Sequence, residues 1–178
     1  MLVNSRQRFY YCPKCGHELK YVNHQERPRL TCSSCSFIFY ENPIVGVAAI
    51  VLNENRQILL GRRKGGQFSG LWCIPCGYLE YGEDVYVGIR REFKEETNLD
   101  IELQSLFTVQ SNYHDPECYT VGIWFIAKII GGKIKAGDDL DKLAFFDLEN
   151  SPSLAFPTDK KVITYLNTKK KSDGIIIS

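Results

Sequence analysis

Apolar and polar positions alternate along this chain mostly with the short period of strands. Ile44–Leu52 is a nearly continuous apolar run, long enough for a buried strand. Asn53-Glu54-Asn55-Arg56 is turn chemistry, and Gln57–Gly61 reads as the returning strand. Lys64-Gly65-Gly66-Gln67 predicts a loop, and Leu71–Ile74 a short strand stopped by Pro75. The period changes over Asp84–Thr97. There Val85, Ile89 and Phe93 recur at i, i+4 and i+8, which predicts a helix with one buried stripe. Strand patterns resume at Ile101–Val109, Tyr119–Ile130 and Leu143–Leu148, and a second helix is expected from Pro157 to Leu166. Lys169-Lys170-Lys171 begins a basic tail, with Ile175–Ile177 near its end. Strands interleaved with helices make this an α/β body.

The first forty residues are different. They are polar and aromatic, with few aliphatic side chains, and cannot bury enough surface to fold without a staple. Cys12-Pro-Lys-Cys15 and Cys32-Ser-Ser-Cys35 supply one. Two C-x2-C knuckles separated by 16 residues fall within the spacing of a four-cysteine zinc site. Each knuckle aims two thiolates at one point, and two knuckles close a tetrahedron with no open position. Such a zinc is structural and supplies folding energy. With four thiolates in place, His17 and His24 are expected to be surface residues rather than ligands. Asn42-Pro43 ends the segment, giving a zinc ribbon over residues 1–41 and a larger domain over 42–178.

Composition narrows the classes. The chain has 178 residues, 44% apolar and 24% charged, which suits a small module plus one domain with a real core. Net charge is +1, so no overall field recruits nucleic acid or an anionic membrane. Residues 1–40 carry six Lys/Arg (Arg6, Arg8, Lys14, Lys20, Arg27, Arg29) against Glu18 and Glu26. Nucleic-acid contact is the ribbon's rival role. No long basic-aromatic strip is present, and a structural or dimerising role is expected instead. The longest apolar runs fall short of the roughly 18 residues needed to span a bilayer. Met1–Tyr10 has no apolar block like a signal peptide. The expected location is cytoplasmic, where clustered thiols stay reduced and read as metal ligands.

The chemistry concentrates in Gly77–Leu99. On a helix, Glu92, Glu95 and Glu96 stand at i, i+3 and i+4 and share a stripe. A solvated acidic face is the plain reading of such a run. Gly88, one turn before Glu92, costs about 1 kcal/mol relative to alanine and leaves room on the same stripe. Clustered carboxylates open to solvent suit Mg²⁺ or Mn²⁺, which keep waters and bridge to substrate phosphates.

Gly77, Glu83, Arg91-Glu92, Glu95-Glu96 and Leu99 fall on the pattern G-x5-E-x7-R-E-U-x-E-E-x-G-U, with Phe93 at the first bulky apolar position U. The segment resembles the Nudix box of the Nudix hydrolases. The one clear departure is Asn98, where the family has glycine; asparagine is the next-best occupant of a positive-φ turn. The resemblance implies an α/β/α sandwich and a metal-dependent enzyme that hydrolyses a nucleoside diphosphate linked to another moiety. It implies Glu92 and Glu96 as main metal ligands, Glu95 as a further ligand or the base, and Arg91 orienting Glu83 through an ion pair. Gly77 and Trp72 would adjoin the substrate. Glu117, in the loop His114-Asp115-Pro116-Glu117, is a candidate base, and Asp141 a candidate further ligand. Tyr113, Tyr119 and Trp124 are either stacking residues or core, and Cys73 and Cys76 are expected to be small core residues.

A short ribbon joined to a Nudix box resembles the compact FAD and ADP-ribose pyrophosphatase group, which would release AMP plus a monophosphate. The NADH pyrophosphatases carry a Ser-Gln-Pro-Trp-type motif that Val109–Asp115 lacks. NADH or nucleoside triphosphates are the second substrate reading. A non-catalytic nucleotide sensor whose ribbon binds nucleic acid is the alternative of another class, although such domains usually lose box glutamates. A homodimer is what the resemblance implies.

Overall fold

The computed structural model describes residues 7–173, so Ile175–Ile177 lie outside the described residues. The chain divides into two compact units, residues 1–42 and 43–178.

In the first unit β1 (Leu19–His24), β2 (Arg27–Cys32) and β3 (Ile38–Phe39) form one antiparallel sheet in that order. Gln25 and Glu26 make the β1–β2 turn with φ of 42° and 63°, the left-handed pair that a two-residue hairpin turn demands. The core is only Cys12, Leu19, Leu30 and Cys32, with Phe37 and Phe39 packed against it. A core of this size cannot offset the chain entropy of its own segment.

Among the described residues the second unit contains two sheets, two α-helices and a short 3-10 turn at Gly66–Phe68. One sheet has the order β7-β4-β9-β8, from Cys76–Tyr78, Ile44–Val51, Thr120–Gly132 and Leu99–Asn112. Its central pair, β4 and β9, is parallel; the flanking pairs are antiparallel. The second sheet, β10-β5-β6, is built from Leu140–Phe146, Ile58–Arg63 and Trp72–Cys73. Helices α1 (Val85–Thr97) and α2 (Pro157–Asp173) complete the unit.

Strand alternation fixes the layers. Val47, Ala49 and Val51 of β4 and Phe125 and Ala127 of β9 pack with Ile89 and Phe93 of α1. Ala48 and Ile50 of β4 and Trp124 and Ile126 of β9 pack instead with Val162, Ile163 and Leu166 of α2. Successive residues of a strand point to opposite faces. The two helices therefore cover opposite faces of the mixed sheet, which makes an α/β/α sandwich.

Helix α1 begins where Asp84, in extended conformation, accepts hydrogen bonds from the Tyr86 and Val87 amides at 2.9 and 3.2 Å. It ends at Asn98, whose φ of 59° is left-handed. Asn98 Nδ2 also donates to the Lys133 carbonyl at 2.9 Å, so the substitute for glycine gains a contact glycine lacks. Asn98→Ala is expected to lower stability by about 1 kcal/mol, the cost of a Cβ in that conformation plus the lost bond, and Asn98→Gly by less. Urea unfolding of the three proteins checks the order.

Several elements differ from the sequence reading at their ends. Strand β8 starts at Leu99 and runs to Asn112, because its outer residues pair with β9 without needing an apolar pattern. Strand β10 starts at Leu140, and α2 continues through the Lys169–Lys171 backbone that the charge run marks as tail. Strand β7 was not expected: three residues, Cys-Gly-Tyr, carry no period.

Candidate active site

In the ribbon the four cysteine sulfurs all lie within 4.8 Å of one another. Cys15 Sγ is 3.4 Å from both Cys32 Sγ and Cys35 Sγ, and Cys12 Sγ is 3.8 Å from Cys35 Sγ. A zinc–sulfur bond of about 2.3 Å puts tetrahedral sulfurs about 3.8 Å apart, so the set fits zinc. The Ser34 and Cys35 amides both point at Cys32 Sγ from 3.4 Å. The Cys35 amide, ahead of that of Ser34, holds the Cys32 thiol down to about 6 against the opposing effect of burial. The positive φ needed after each knuckle is supplied by Gly16 (75°) and by Ser36 (57°). His17 is exposed, and His24 Nε2 meets Thr31 Oγ1 at 3.0 Å on the hairpin; neither belongs to the cluster.

In the second unit the box residues surround a cleft of about 460 Å³. Gly46 and Gly122 are register partners in the central parallel pair, and both line it. A Cβ at Gly122 would overlap the Trp124 ring, so glycine there lets the indole lie against the sheet. Trp124, next along β9, forms part of the floor.

Glu92 and Glu96 reach the cleft from α1, and Gly77 of β7 lines it beside them. A Cβ at Gly77 would overlap the whole Glu92 carboxylate, so glycine there is the gap that admits it. Glu96 is 1% exposed, and its Oε2 accepts the Cys76 amide at 2.7 Å. Burial drives the Glu96 carboxyl well above the usual range, and the fields of Cys73, Asp139 and Glu92 add to it. Burial also raises Glu92, against the pull of Arg91.

Arg91 is the hub of the box. Its Nε and Nη2 donate to the two oxygens of Glu83 at 2.8 and 2.9 Å. Nη1 donates to Glu92 at 2.8 Å and Glu95 at 3.0 Å, and Nη2 reaches the Tyr78 carbonyl at 3.2 Å. The bidentate bond from Arg91 and the Glu80 amide hold Glu83 down to about 2. Gly88 faces Glu83 and Leu79 rather than a ligand: a Cβ there would meet Leu79 Cδ2 and come within 2.8 Å of Glu83 Oε2. The space inferred from this glycine is filled by the chain's own side chains, a correction to the sequence reading.

Other expected residues sit elsewhere. Glu95 is bonded to Arg91 with its side chain half exposed, outside the cleft lining. Glu117 lies on the β8–β9 loop outside the lining, whereas His114 and Asp115 of the same loop are in it. Trp72 packs edge-on against Phe146 at 4.7 Å, on the core beneath α2, and is not in the lining. Its position in β6, opposite Arg62, turns it into that core. Asp141 makes a bidentate ion pair with Arg62 at 2.8 and 3.0 Å. Asp138 and Asp139, three and two positions before it, line the cleft instead.

Sequence reasoning missed Arg63, Phe68, Phe156 and Asp159. Arg63 Nη2 donates to Asp139 at 2.5 Å, and its guanidinium lies 5.5 Å from the Phe156 ring centre. Phe68, His114 and Phe156 come from three separate loops and pack with ring centres 5.2 to 5.8 Å apart. Only tertiary structure brings them together. Cys73 is fully buried, as expected of a core residue, but Cys76 lines the cleft and acts through its amide.

Glu92, Glu96, Asp138 and Asp139 thus share one cleft, with Glu96 buried and Glu92 and Asp139 half-buried. Two guanidiniums meet this set, Arg63 at Asp139 and Arg91 at Glu92, and Arg91 is shared with Glu83 and Glu95. A donor set of hard oxygens with more negative charge than local cations balance fits Mg²⁺ or Mn²⁺. A cleft wall of carboxylates beside aromatic rings has the chemistry to take a metal-bound phosphoanhydride next to a planar base.

Known proteins bear on this arrangement. A family model described as NUDIX domain matches residues 42–166, and one described as Nudix N-terminal, a zinc ribbon, matches residues 10–41. An ADP-ribose pyrophosphatase of Methanocaldococcus jannaschii is 42% identical over 131 residues, spanning 73% of this chain and 77% of that protein. The NAD-capped RNA hydrolase NudC of Vibrio atlanticus is 28% identical over 150 residues, 84% of this chain and 53% of that one. The crystal structure of a NUDIX hydrolase from Nitrosomonas europaea superposes with a TM-score of 0.79 at 28% identity, covering 92% of this chain and 94% of the other.

Proposed function

The chain belongs to the Nudix hydrolase family, and from that premise we propose that it is a divalent-metal-dependent pyrophosphatase acting on ADP-ribose or FAD. The products would be AMP and the monophosphate of the other half. The observation that carries this reading is the convergence of Glu92 and Glu96 on one cleft through Gly77 and the Cys76 amide. The similarity to a protein named ADP-ribose pyrophosphatase, over most of both chains, favours ADP-ribose within the pair.

Glu92 and Glu96, with Asp138 or Asp139, would hold Mg²⁺ or Mn²⁺. Bound there, the metal neutralises phosphate charge and lowers the pKa of water. The chain's own residues supply the rest. Arg91 restrains Glu92 and Glu95 while Glu83 restrains Arg91, so the acidic stripe is held in one arrangement before substrate arrives. Glu95, partly exposed at the edge of the stripe, is the candidate to take a proton from the attacking water; Glu117 and Asp115 on the β8–β9 loop are the others. Phe68, His114 and Phe156 shield one side of the cleft from water. The unbridged cysteines suit a reducing, cytoplasmic setting, the ribbon holds zinc as a structural ion, and a homodimer completes the proposal.

A second reading has support of its own. The similarity to a NAD-capped RNA hydrolase spans 84% of this chain, although this chain spans about half that protein's length. NADH and nucleoside triphosphates therefore stay in the test. The purified protein, with Mg²⁺ or Mn²⁺, is offered ADP-ribose, FAD, NADH, ADP-glucose, Ap4A and oxidised nucleoside triphosphates, and both product halves are weighed by mass spectrometry. AMP plus ribose phosphate, or AMP plus FMN, is the expected result. No turnover of any of them, with nucleotide binding retained, would favour a non-catalytic sensor instead.

A further inference from the structure

The buried carboxyl of Asp159 has no part in the chemistry described so far. Asp159 lies in the first turn of α2, is 2% exposed, and lines the cleft. Its Oδ2 accepts the Ile74 amide at 3.0 Å. Burial pushes its carboxyl up to about 7, although the Ile74 amide and the neighbouring Trp124 indole pull the other way. An acid in such a place costs stability, and its retention needs a reason.

The reason lies in what Ile74 connects. Cys73 ends β6 in one sheet, and Cys76 begins β7 in the other. Ile74 and Pro75 are the whole crossing. Both are buried, and neither amide can join a ladder: Pro75 has none, and that of Ile74 goes to Asp159. The Pro75 carbonyl accepts from Ala49 at 3.2 Å. The next amide, that of Cys76, is the one that meets Glu96 Oε2 at 2.7 Å. Three consecutive residues therefore link α2 to the most deeply buried glutamate of the box.

We propose that Asp159 is a positioning residue: by accepting the Ile74 amide it fixes the crossing between the sheets, and so aims the Cys76 amide that orients the Glu96 carboxylate for metal. The inference rests on the reading of Glu96 as a metal ligand. It asks of Asp159 an acceptor oxygen in the right place, not a negative charge. Without that acceptor the Ile74 amide is buried unsatisfied, and the crossing shifts to find a partner.

The test compares Asp159→Leu, which fills the volume without an acceptor, with Asp159→Asn, which keeps one, using intact protein with its zinc. Asp159→Ala serves as a second variant without an acceptor, should the leucine disturb packing. Mn²⁺ binding is titrated by electron paramagnetic resonance without substrate, with Glu96→Gln as reference, and kcat and KM are measured on whichever dinucleotide is turned over. The expected result is Mn²⁺ affinity and kcat roughly 10- to 100-fold lower in Asp159→Leu, the usual loss when a partner behind a metal ligand is removed, with KM changed by less than about threefold. Asp159→Asn should restore both to within about threefold of wild type. Wild-type affinity and kcat in Asp159→Leu would overturn the proposal, as would an Asn variant as impaired as the Leu variant. A rise in KM alone, with altered preference among bases, would overturn it too, since Asp159 would then be touching substrate. If Mn²⁺ binding survives Glu96→Gln, the metal-site reading itself fails and takes this inference with it. If Glu96→Gln abolishes binding and Asp159→Leu does not, the inference alone fails.

Discussion

Glu96→Gln is expected to lower turnover by on the order of 10³-fold while the protein keeps its fold. The magnitude is that of removing a group whose interaction is made in the transition state. The substitution suits the site. Glutamine has the same shape and still offers Cys76 an acceptor, so the 2.7 Å contact survives. It removes the negative charge from a side chain that is 1% exposed, which relieves rather than adds a burial cost. Unfolding curves of the two proteins should therefore be close, and the difference should lie in the dependence of rate on Mg²⁺ or Mn²⁺. Equal rates at saturating metal would remove Glu96 from the catalytic machinery.

Cys32→Ser is expected to abolish stoichiometric zinc and to unfold the ribbon while leaving the second unit intact. Cys32 is buried at the centre of the cluster, and two backbone amides are already aimed at its sulfur. A serine hydroxyl does not deprotonate to take that place. The remaining apolar core, Leu19 and Leu30 with Phe37 and Phe39 at its edge, is too small to hold some forty residues by itself. Structural zinc contributes roughly 10–16 kcal/mol in comparable small modules. The second unit has its own clusters on both faces of its mixed sheet. Metal analysis and limited proteolysis are the measurements: one zinc per wild-type chain, less in the variant, and cleavage confined to the first 42 residues. A variant that retains a full equivalent of zinc would argue against four-thiolate ligation.

The parts of the fold legible in the sequence are those with a strong period or a fixed spacing. Helix α1 announces itself through Val85, Ile89 and Phe93, and all three pack against the sheet. The four cysteines announce their cluster through spacing alone. The bond of Arg91 to Glu83 spans eight positions, and the box pattern points to it. What was not legible depends on how loops converge. Trp72 and Trp124 look alike as strand aromatics. The register with Arg62 turns Trp72 into the core beneath α2, and the parallel pairing with Ala48 puts Trp124 in the cleft. Asp138, Asp139 and Asp141 differ by one to three positions, yet Arg62 takes Asp141 away on the outer side. Asp159 has no motif at all; its meaning comes from an amide 85 positions earlier.

The parallel pairing of β4 with β9 sets the order in which the molecule can assemble on the ribosome. Ile44 faces Thr120 and Val51 faces Ala127, so β4 waits for roughly 75 further residues before its long partner exists. All four thiols, by contrast, are synthesised by position 35. The amino-terminal module can capture its ion and close while the most apolar strand of the next unit, five consecutive buried residues from Val47 to Val51, is still open on one side. A nascent chain stalled shortly before residue 120 would leave the β9 side of that strand unpaired.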